Sequence, residues 1–447
     1  MRGAVAIAFD KNQTPENTRM AEKFGPVNLA EGVQPRHVAA YLFAAFVSIG
    51  LFIYLIAMTP YILRVNVGLD EARFGQVSGD LQFWQELLVI MSIGWWGAMS
   101  DRYGRRRIYI IGFLVLTVAY ATYAFSTSVP ELIATRLVFA FGVAATSALL
   151  AAVLADYPAE DSRGKLSGMA FFLNGIGSVI FITQLTKLPA IFEAQGTSGI
   201  MAGRFSYLVV AAVAFVAAIV MLGLKPGKPV KVEDRKPVSK LMLEGLAAAR
   251  NPRIAISYLS SVAARADMAV VTIFLILWVS QAATAAGLSV AEATAKAGML
   301  MGFSQIAAVF WAPLFGFIAD KIDRLTLVVI AFTIAAFGYG GVAMQEDILA
   351  TGAIPYIVLM GVGMSSTILA VTVLLGQEAP PKLRGSAFGM QSFFGACGIL
   401  ALSAIGGRLY DGVSANAVFY MIAGANLFVL LAALLVRVSE LRTGTRG

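Results

Sequence analysis

Long apolar segments alternate with short polar connections along most of this chain. Between Ala39 and Val436 the apolar residues come in blocks of about 20 or more, the length that a helix needs to cross a bilayer. The pattern predicts an all-α polytopic membrane protein. Its twelve predicted spans are residues 39–63, 79–100, 106–127, 130–155, 165–188, 203–224, 254–281, 295–319, 325–344, 353–376, 386–407 and 414–436.

Composition argues against a soluble enzyme. Of the 447 residues, 58% are hydrophobic and only 13% are charged, whereas about a quarter of a soluble protein is charged. The chain has one histidine, His37, and one cysteine, Cys397. These two residues supply no internal disulfide, no Cys/His metal site and no catalytic histidine within a span. We therefore expect no enzymatic activity, no metal and no cofactor.

The basic residues between the spans predict the orientation. The even-numbered connections contain 18 Lys and Arg residues and the odd-numbered ones contain 6. We expect both termini and the even-numbered connections to lie in the cytoplasm, with the spans in the cell membrane. The net charge of +8 lies mainly in those connections, so we expect lipid and no nucleic acid as its partner. The first 38 residues lack a signal-peptide core and are expected to form a cytoplasmic tail.

One long connection, residues 225–253, divides the chain into halves of six spans. Its first part is rich in proline and charge and is expected to be flexible. Residues 241–250 form either a short helix on the membrane surface, with Leu241, Leu246 and Ala249 toward lipid, or a solvated linker. The predicted organisation is a tail at 1–38, a six-helix bundle at 39–224, the connection at 225–253, a second six-helix bundle at 254–437 and a tail at 438–447.

The two halves repeat in sequence. The segment 97–105 follows the second span and returns at 316–324 after the eighth span, 219 positions later. The segment 163–169 opens the fifth span and returns at 384–390, 221 positions later. Because both motifs recur after nearly the same number of residues, they indicate an internal repeat. Parallel six-helix repeats place a substrate site at their interface, near the middle of the bilayer.

The segment Gly97-x-x-x-Asp101-Arg102-x-Gly104-Arg105 resembles the signature of the major facilitator superfamily (MFS). The weaker copy at 316–324 and the layout of six spans, a long connection and six spans fit this family. The resemblance implies two six-helix bundles that rock around a central cavity, lined mainly by spans 1, 4, 7 and 10. It also implies that charged groups at the cytoplasmic ends of the spans form a latch, which closes the cytoplasmic side when the cavity faces outward.

The physical basis of such a latch is electrostatic. Asp101 can meet the positive N-terminal end of a helix from the other half, and Arg105 can reach Asp156 at the end of the fourth span. Alternatively, these residues only orient helices and hold the loops in water. The candidate gating residues are Gly97, Asp101, Arg102, Gly104, Arg105, Asp156, Arg163, Asp320, Arg324, Glu378 and Arg384.

Four ionisable residues lie inside the predicted spans: Glu86, Arg136, Arg265 and Asp267. Charged groups at bilayer depth are costly and usually functional. Arg265 is the candidate anion-binding residue, with an ion pair to Glu86 or Asp267 as the alternative. Glu86 and Asp267 are candidate proton carriers, since a buried carboxylate can alternate between charged and neutral forms. Arg136 is a candidate substrate-binding residue, unless it extends to the outer interface.

Three neutral polar residues complete the candidate substrate site. Asn174, Ser261 and Gln305 lie in spans of both halves, and each otherwise satisfies a hydrogen bond between helices.

Three functions remain open at this point. The first is a proton-coupled transporter, such as a symporter, for a small organic anion, working as a monomer by alternating access. The second is a proton-driven exporter of amphiphilic or drug-like compounds, favoured by the apolar cavity that so few polar residues leave. The third is a non-transporting assembly factor or receptor with this fold. No phosphate-binding loop of the Gly-x-x-x-x-Gly-Lys-Ser/Thr type occurs, so ATP-driven transport is disfavoured.

Overall fold

A computed structural model of the protein describes residues 22–227, 238–380 and 383–443. Helices dominate these residues. The α-helices are α1 (Pro35–Ala57), α2 (Thr59–Val65), α3 (Phe74–Tyr103), α4 (Arg105–Tyr123), α5 (Val129–Asp156), α6 (Arg163–Gln184), α7 (Leu188–Ala194), α8 (Gly199–Val220), α9 (Val238–Ala248), α10 (Pro252–Ala285), α11 (Val290–Ala319), α12 (Arg324–Ala343), α13 (Ile354–Glu378), α14 (Arg384–Gly412) and α15 (Ala415–Thr443).

The predicted all-α membrane fold is confirmed. Among the described residues, ten helical spans are long and apolar enough to cross a bilayer, and the first of them joins α1 and α2 across Met58. The helices α3 and α4 complete the twelve but are less apolar. α3 carries Asp80 and Glu86 inside its 30 residues, and α4 opens with a run of three arginines. Both helices pack against α5.

Helix contacts divide the chain into two groups. In the first half, α1 packs against α6, and α5 packs against α3 and α4. In the second half, α10 packs against α14, and α12 packs against α13 and α15. Two helix pairs hold the halves together: α3 with α14, and α6 with α11.

Glycines allow several helix pairs to approach closely. A Cβ on Gly177 of α6 would collide with the backbone oxygen of Phe46 in α1. A Cβ on Gly398 of α14 would likewise collide with the backbone oxygen of Val262 in α10. Such close backbone approach favours helix association in a membrane, where lipid is as apolar as the side chains.

The residues before α1, expected to form a cytoplasmic tail, include a small folded segment. Strands β1 (Lys23–Phe24) and β2 (Val27–Asn28) form a small antiparallel hairpin. The hairpin packs on the connection between α5 and α6, where the Ala30 amide donates to the Tyr157 carbonyl oxygen at 2.9 Å and Val27 is fully buried. The rest of the predicted tail, residues 1–21, lies outside the described part of the chain.

The long connection contains a helix, as one of the two alternatives proposed. In α9 the Gly245 carbonyl oxygen accepts a hydrogen bond from the Tyr258 hydroxyl at 2.8 Å. A Cβ at Gly245 would lie 2.6 Å from the Ser386 carbonyl oxygen, so this face of α9 packs directly on α14. Leu246 is exposed, Ala249 is half-buried, and the side chain of Leu241 lies outside the described part. Residues 228–237 lie outside it as well.

Candidate functional site

The two halves touch on one side of the molecule. We call the side where α1 begins and α15 ends the terminal side, and the other the opposite side. On the opposite side, a Cβ at Gly407 of α14 would lie 2.5 Å from the carbonyl oxygen of Gly75 in α3. In the second helix pair, a Cβ added at Gly298 of α11 would likewise collide with the Ile182 carbonyl oxygen of α6. Neither seam has room for a side chain at these points.

Toward the terminal side the same four helices separate. Added Cβ atoms would meet no described atom within 4 Å at Gly94 and Gly97 of α3, Gly164 and Gly168 of α6, Gly316 of α11, and Gly385 and Gly389 of α14. Each half contributes to this open space. A cleft therefore runs from the terminal side to about the middle of the bundle and is closed on the opposite side.

Arg265 reaches this cleft from α10. In the apolar 18-residue stretch of α10 that could span a membrane, 83% of the residues are buried. Between Arg253 and Thr284, a stretch described throughout, Arg265 is the one exposed residue. Its stem lies along Gly395 of α14, where a Cβ would collide with the Arg265 Cδ and lie 2.8 Å from the Ser261 Oγ. A glycine thus makes room for the side chain of Arg265, whose position lies about 20 Å along the helix axis from the start of α10.

Glu86 lies on the α3 face that turns toward α14. It follows Gly75, Gly79 and Gln82 by 11, 7 and 4 positions, the spacing of one helix face, and it is 9% exposed. Its charge interacts with that of Arg265, yet the described residues contain no ion pair between the two. The middle of the molecule therefore holds a carboxylate and a guanidinium on different halves, near each other and not in contact.

Two glutamines near Glu86 were not among the candidate residues predicted from the sequence. Gln82 and Gln85 are fully buried, and neither amide has a hydrogen-bond partner among the described residues. A buried amide without a partner costs about 1–3 kcal/mol, so such groups favour a polar ligand or water. The signal was present in the sequence, because polar residues next to an intramembrane carboxylate are themselves unusual.

Asn174 and Gln305 lie along the seam between α6 and α11. Asn174 precedes Gly175, which Val309 contacts across the seam, and Gln305 stands one turn from Val309 on the same face of α11. The Asn174 Oδ1 and the Gln305 Nε2 are buried without a partner among the described residues. An acceptor and a donor are therefore available where the seam meets the cleft.

Asp267 does not lie in the cleft. It is fully buried inside the second half, where the Asn426 Nδ2 of α15 donates to both of its carboxylate oxygens at 3.1 and 3.0 Å. Ser261 also makes a contact within its own half, donating to the Gln391 carbonyl oxygen at 2.8 Å. Both side chains join α10 to neighbouring helices.

Arg136 lies inside the first half and does not reach the cleft. It is 1% exposed, and its guanidinium carbon stands 6.0 Å from the centre of the Phe139 ring. Its charge interacts with Tyr120, Tyr123 and Tyr207, the aromatic residues of α4 and α8 around it. Its Nε and Nη1 have no hydrogen-bond partner within the described residues.

The signature at the end of α3 forms a compact charge cluster. Arg105 bonds to Asp101, donates to the Ser100 Oγ at 2.6 Å and donates to the Asp156 Oδ2 at 2.9 Å. The contact expected between Arg105 and Asp156 is therefore present, while its role in gating stays a prediction. Gly104 has a φ of +96° between α3 and α4, a conformation that favours glycine.

The remaining candidate gating residues line the terminal side. Arg102 lies over the Tyr103 ring at 5.4 Å. Arg163 and Arg384 are exposed at the starts of α6 and α14, and Gly97 borders the open cleft.

The repeat of this cluster in the second half keeps one of its two ion pairs and replaces the other by a hydrogen bond to a glutamine. Arg324 stands 4.0 Å from Asp320 and donates to the Gln377 Oε1 at 3.0 Å. Glu378 pairs with Arg253 at the start of α10 at 3.3 Å. The sequence repeat thus preserves the pair of an arginine with the aspartate four positions before it, while Gln377 takes the part that Asp156 has in the first half.

Arg253 joins four helices of the second half. Besides Glu378 of α13, it contacts Asp323 at the start of α12 at 3.0 Å and Glu440 of α15 at 2.7 Å. Burial would raise the pKa of Asp323, but the Thr326 amide and the Arg253 guanidinium hold that pKa below its ordinary value.

Comparison with known proteins finds relatives along the whole chain. The chain is 26% identical over 418 residues to magnetosome protein MamH of Paramagnetospirillum magneticum, covering 92% of this chain and 94% of that protein. It is 22% identical to magnetosome protein MamZ of the same organism over 84% of this chain, and it spans only 59% of the length of MamZ. A shorter match of 103 residues, 38% identical, joins 22% of this chain to 20% of citrate exporter 1 of Aspergillus niger.

The architecture also matches a solved structure. The crystal structure of the nucleoside transporter NupG superposes with a TM-score of 0.69 at 15% identity, over 89% of this chain and 98% of that one. The family match is direct, because residues 40–396 fit the Major Facilitator Superfamily. The two six-helix halves and the signature at the end of α3 agree with it. The chain belongs to the Major Facilitator Superfamily.

Proposed function

We propose that this protein is a proton-coupled secondary transporter for a small organic anion and that it works by alternating access. The observation that carries the proposal is Arg265, which is exposed in the middle of an otherwise buried helix. A guanidinium at this depth is costly without a partner. Its planar fork of donors suits a carboxylate. The short match to a citrate exporter supports a carboxylate as the bound group.

Glu86 is the proposed proton carrier. In the absence of substrate, the positive charge of Arg265 and the negative charge of an ionised Glu86 attract each other across the cleft. An anion bound to Arg265 removes that attraction and adds a like charge near Glu86. The anion and a proton should therefore bind together, which is the coupling that symport requires.

We propose less direct roles for the other candidates. Asp267 is held by Asn426 away from the cleft, so Glu86 is the favoured proton carrier. Gln305 and Asn174 have unpartnered polar atoms at the seam and are proposed to contact substrate. Arg136 and Ser261 face their own halves and are proposed to position helices.

The orientation and the organisation of the chain belong to the same proposal. The bias of basic residues toward the terminal side makes that side cytoplasmic, with the protein as a monomer in the cell membrane. The units that move would be residues 39–224 and 254–437, joined by residues 225–253. The charge cluster of Asp101, Arg105 and Asp156 would help to close the cytoplasmic side.

A ligand screen with one substitution tests the proposal. Purified protein is melted with small carboxylates, including citrate, and with hydrophobic cations, since a ligand of the folded state raises the melting temperature. We expect a carboxylate to stabilise the wild type and Arg250→Ala, an exposed arginine at the end of α9, but not Arg265→Ala. Equal stabilisation of Arg265→Ala would contradict the proposal. A response to hydrophobic cations alone would favour the exporter of amphiphiles.

A further inference from the structure

The N-terminus of α3 is capped by the other half of the molecule. The Gly75 amide donates to the Asp411 Oδ1 at 2.8 Å, and the Gln76 amide donates to the Asp411 Oδ2 at 2.6 Å. Asp411 lies near the end of α14, 335 or more positions away along the chain. The residue in the usual capping position of α3, Arg73, makes no capping hydrogen bond with its side chain.

This cap is chemically strong. The first amides of a helix have no partner inside it, and the helix dipole adds positive potential there. A carboxylate that accepts two of these amides satisfies both needs with charge-assisted hydrogen bonds. The corresponding helix of the repeat, α11, is capped by its own Ser289 and Glu292. Of these two corresponding helices, α3 is capped by the other half and α11 by its own residues.

The surroundings of Asp411 keep α3 and α14 in register. Asp80 pairs with Arg408 at 3.2 Å one turn farther along the two helices. A Cβ at Gly75 would lie 2.8 Å from the Gly407 carbonyl oxygen, and one at Gly79 would collide with the Ser403 carbonyl oxygen. The contact closes only when the two backbones touch, so these hydrogen bonds cannot survive a separation of the helices.

The two ends of this helix pair differ in the structure. Because α3 and α14 are antiparallel, Asp101 near the end of α3 stands on the side where α14 begins. There the helices have separated, open space surrounds Gly385, and the Leu383 capping position makes no side-chain hydrogen bond. On the opposite side Asp411 occupies the start of α3. Each helix thus carries an aspartate at its end on the side where the other begins.

We propose that Asp411 is a latch on the opposite side that stabilises the conformation in which the cleft opens to the terminal side. The hydrogen bonds to Gly75 and Gln76 form in that conformation and break when the opposite side opens. Asp411 therefore sets the balance between the two conformations without touching substrate, and its effect does not depend on which substrate is carried.

Distance measurements between spin labels test this latch in the full chain without substrate, on a Cys397→Ser background. One pair, Phe125→Cys and Met344→Cys, reports the separation of the halves on the opposite side. A second pair, Lys165→Cys and Lys321→Cys, reports it on the terminal side, and all four positions are exposed.

In Asp411→Ala we expect the distance to lengthen on the opposite side and to shorten on the terminal side. We expect the population ratio of the two conformations to shift at least about tenfold, because removing even one hydrogen bond to a charged group has about this effect and Asp411 accepts two. Asp411→Asn should give a smaller shift, because its amide oxygen can still cap a helix. Glu346→Gln, an exposed acidic residue on the same side, is the matched control and should change nothing.

A second variant covers the case in which Asp411→Ala does not fold. Arg408→Gln removes the neighbouring ion pair at a side chain that is 58% exposed, so folding should not depend on it. We expect it to shift both distances in the same direction as Asp411→Ala and by less. Unchanged distances in Asp411→Ala, or in Arg408→Gln where Asp411→Ala is unfolded, would overturn the proposal.

Discussion

At the scale of the residue, Gly395 determines where the guanidinium of Arg265 can lie. A Cβ there collides with the Arg265 Cδ, so Gly395→Ala should displace the side chain from its position in the cleft. We expect carboxylate affinity to fall about tenfold, which corresponds to roughly 1.4 kcal/mol and lies within the usual 1–3 kcal/mol of overpacking. Gly389→Ala, on the same helix in open space, is the control. Calorimetric titration of both variants gives the comparison, and equal affinities would contradict the placement of Arg265.

The relation between Arg265 and Glu86 can be resolved by a double-mutant cycle. Because the two residues form no ion pair in the described structure, Arg265→Ala should abolish anion binding with little loss of stability. Glu86→Gln should bind the anion but lose proton-driven accumulation. If the two were a structural pair, Arg265→Ala would cost about 3–5 kcal/mol and the double variant would recover stability. The melting temperature and the anion binding of both single variants and the double variant distinguish these cases. If the double variant recovers stability and anion binding is undiminished, Arg265 is a structural partner of Glu86.

Sequence reasoning could separate Arg265 from Asp267 but could not find their partners. A rotation of about 100° per residue puts them on different faces of α10, and they do lie in different environments. The partner of Asp267 is Asn426, 159 positions away. The room beside Arg265 comes from Gly395 on another helix. Such contacts depend on how helices pack, which hydropathy and spacing within one segment do not encode.

At the scale of the element, the ion cluster around Arg253 ties the ends of α10, α12, α13 and α15 together. Its guanidinium is nearly buried and contacts three carboxylates. Arg253→Ala would leave Asp323, Glu378 and Glu440 without this cation, and we expect a loss of about 3–5 kcal/mol of folding free energy. Arg250→Ala, three positions earlier and exposed, should stay within about 0.5 kcal/mol. Thermal unfolding of both variants checks this, and equal melting temperatures would show that the cluster contributes little.

The limits of the helices show what hydropathy can and cannot predict. The apolar blocks predicted the positions of the spans, because each span must be long enough to cross the hydrocarbon core of the bilayer. The second span was expected from residue 79, but α3 begins at Phe74. Its first turn is stabilised by Asp411 of α14, a contact between halves that no local pattern reveals. The sequence could not decide between a helix and a linker at α9 for a related reason, because Gly245 of α9 packs on α14.

At the scale of the whole molecule, the orientation in the membrane is the first expectation to test. On a Cys397→Ser background, Arg250→Cys lies at the end of α9 on the terminal side, and Ala350→Cys lies between α12 and α13 on the opposite side. An impermeant thiol reagent added to intact cells should label Ala350→Cys and spare Arg250→Cys, which should react only after permeabilisation. Labelling of both in intact cells would contradict the cytoplasmic placement of the terminal side.

The two halves are in close contact on the opposite side, and the cleft between them is open to the terminal side. The internal repeat predicted this architecture, because six-helix repeats in parallel form a site at their interface. It did not predict which side would be open. In our proposal, that depends on a balance between the contacts of Asp411 on one side and those of the Asp101 cluster on the other.

Uptake into liposomes tests the central claim most directly. Purified protein is reconstituted, and a radiolabelled carboxylate that raises its melting temperature is supplied on the outside with or without an inward proton gradient. We predict accumulation above the external concentration only with the gradient, its loss in Glu86→Gln, and no uptake at all in Arg265→Ala. Accumulation that is the same with and without the gradient, or that persists in Arg265→Ala, would contradict proton-coupled anion transport through this cleft.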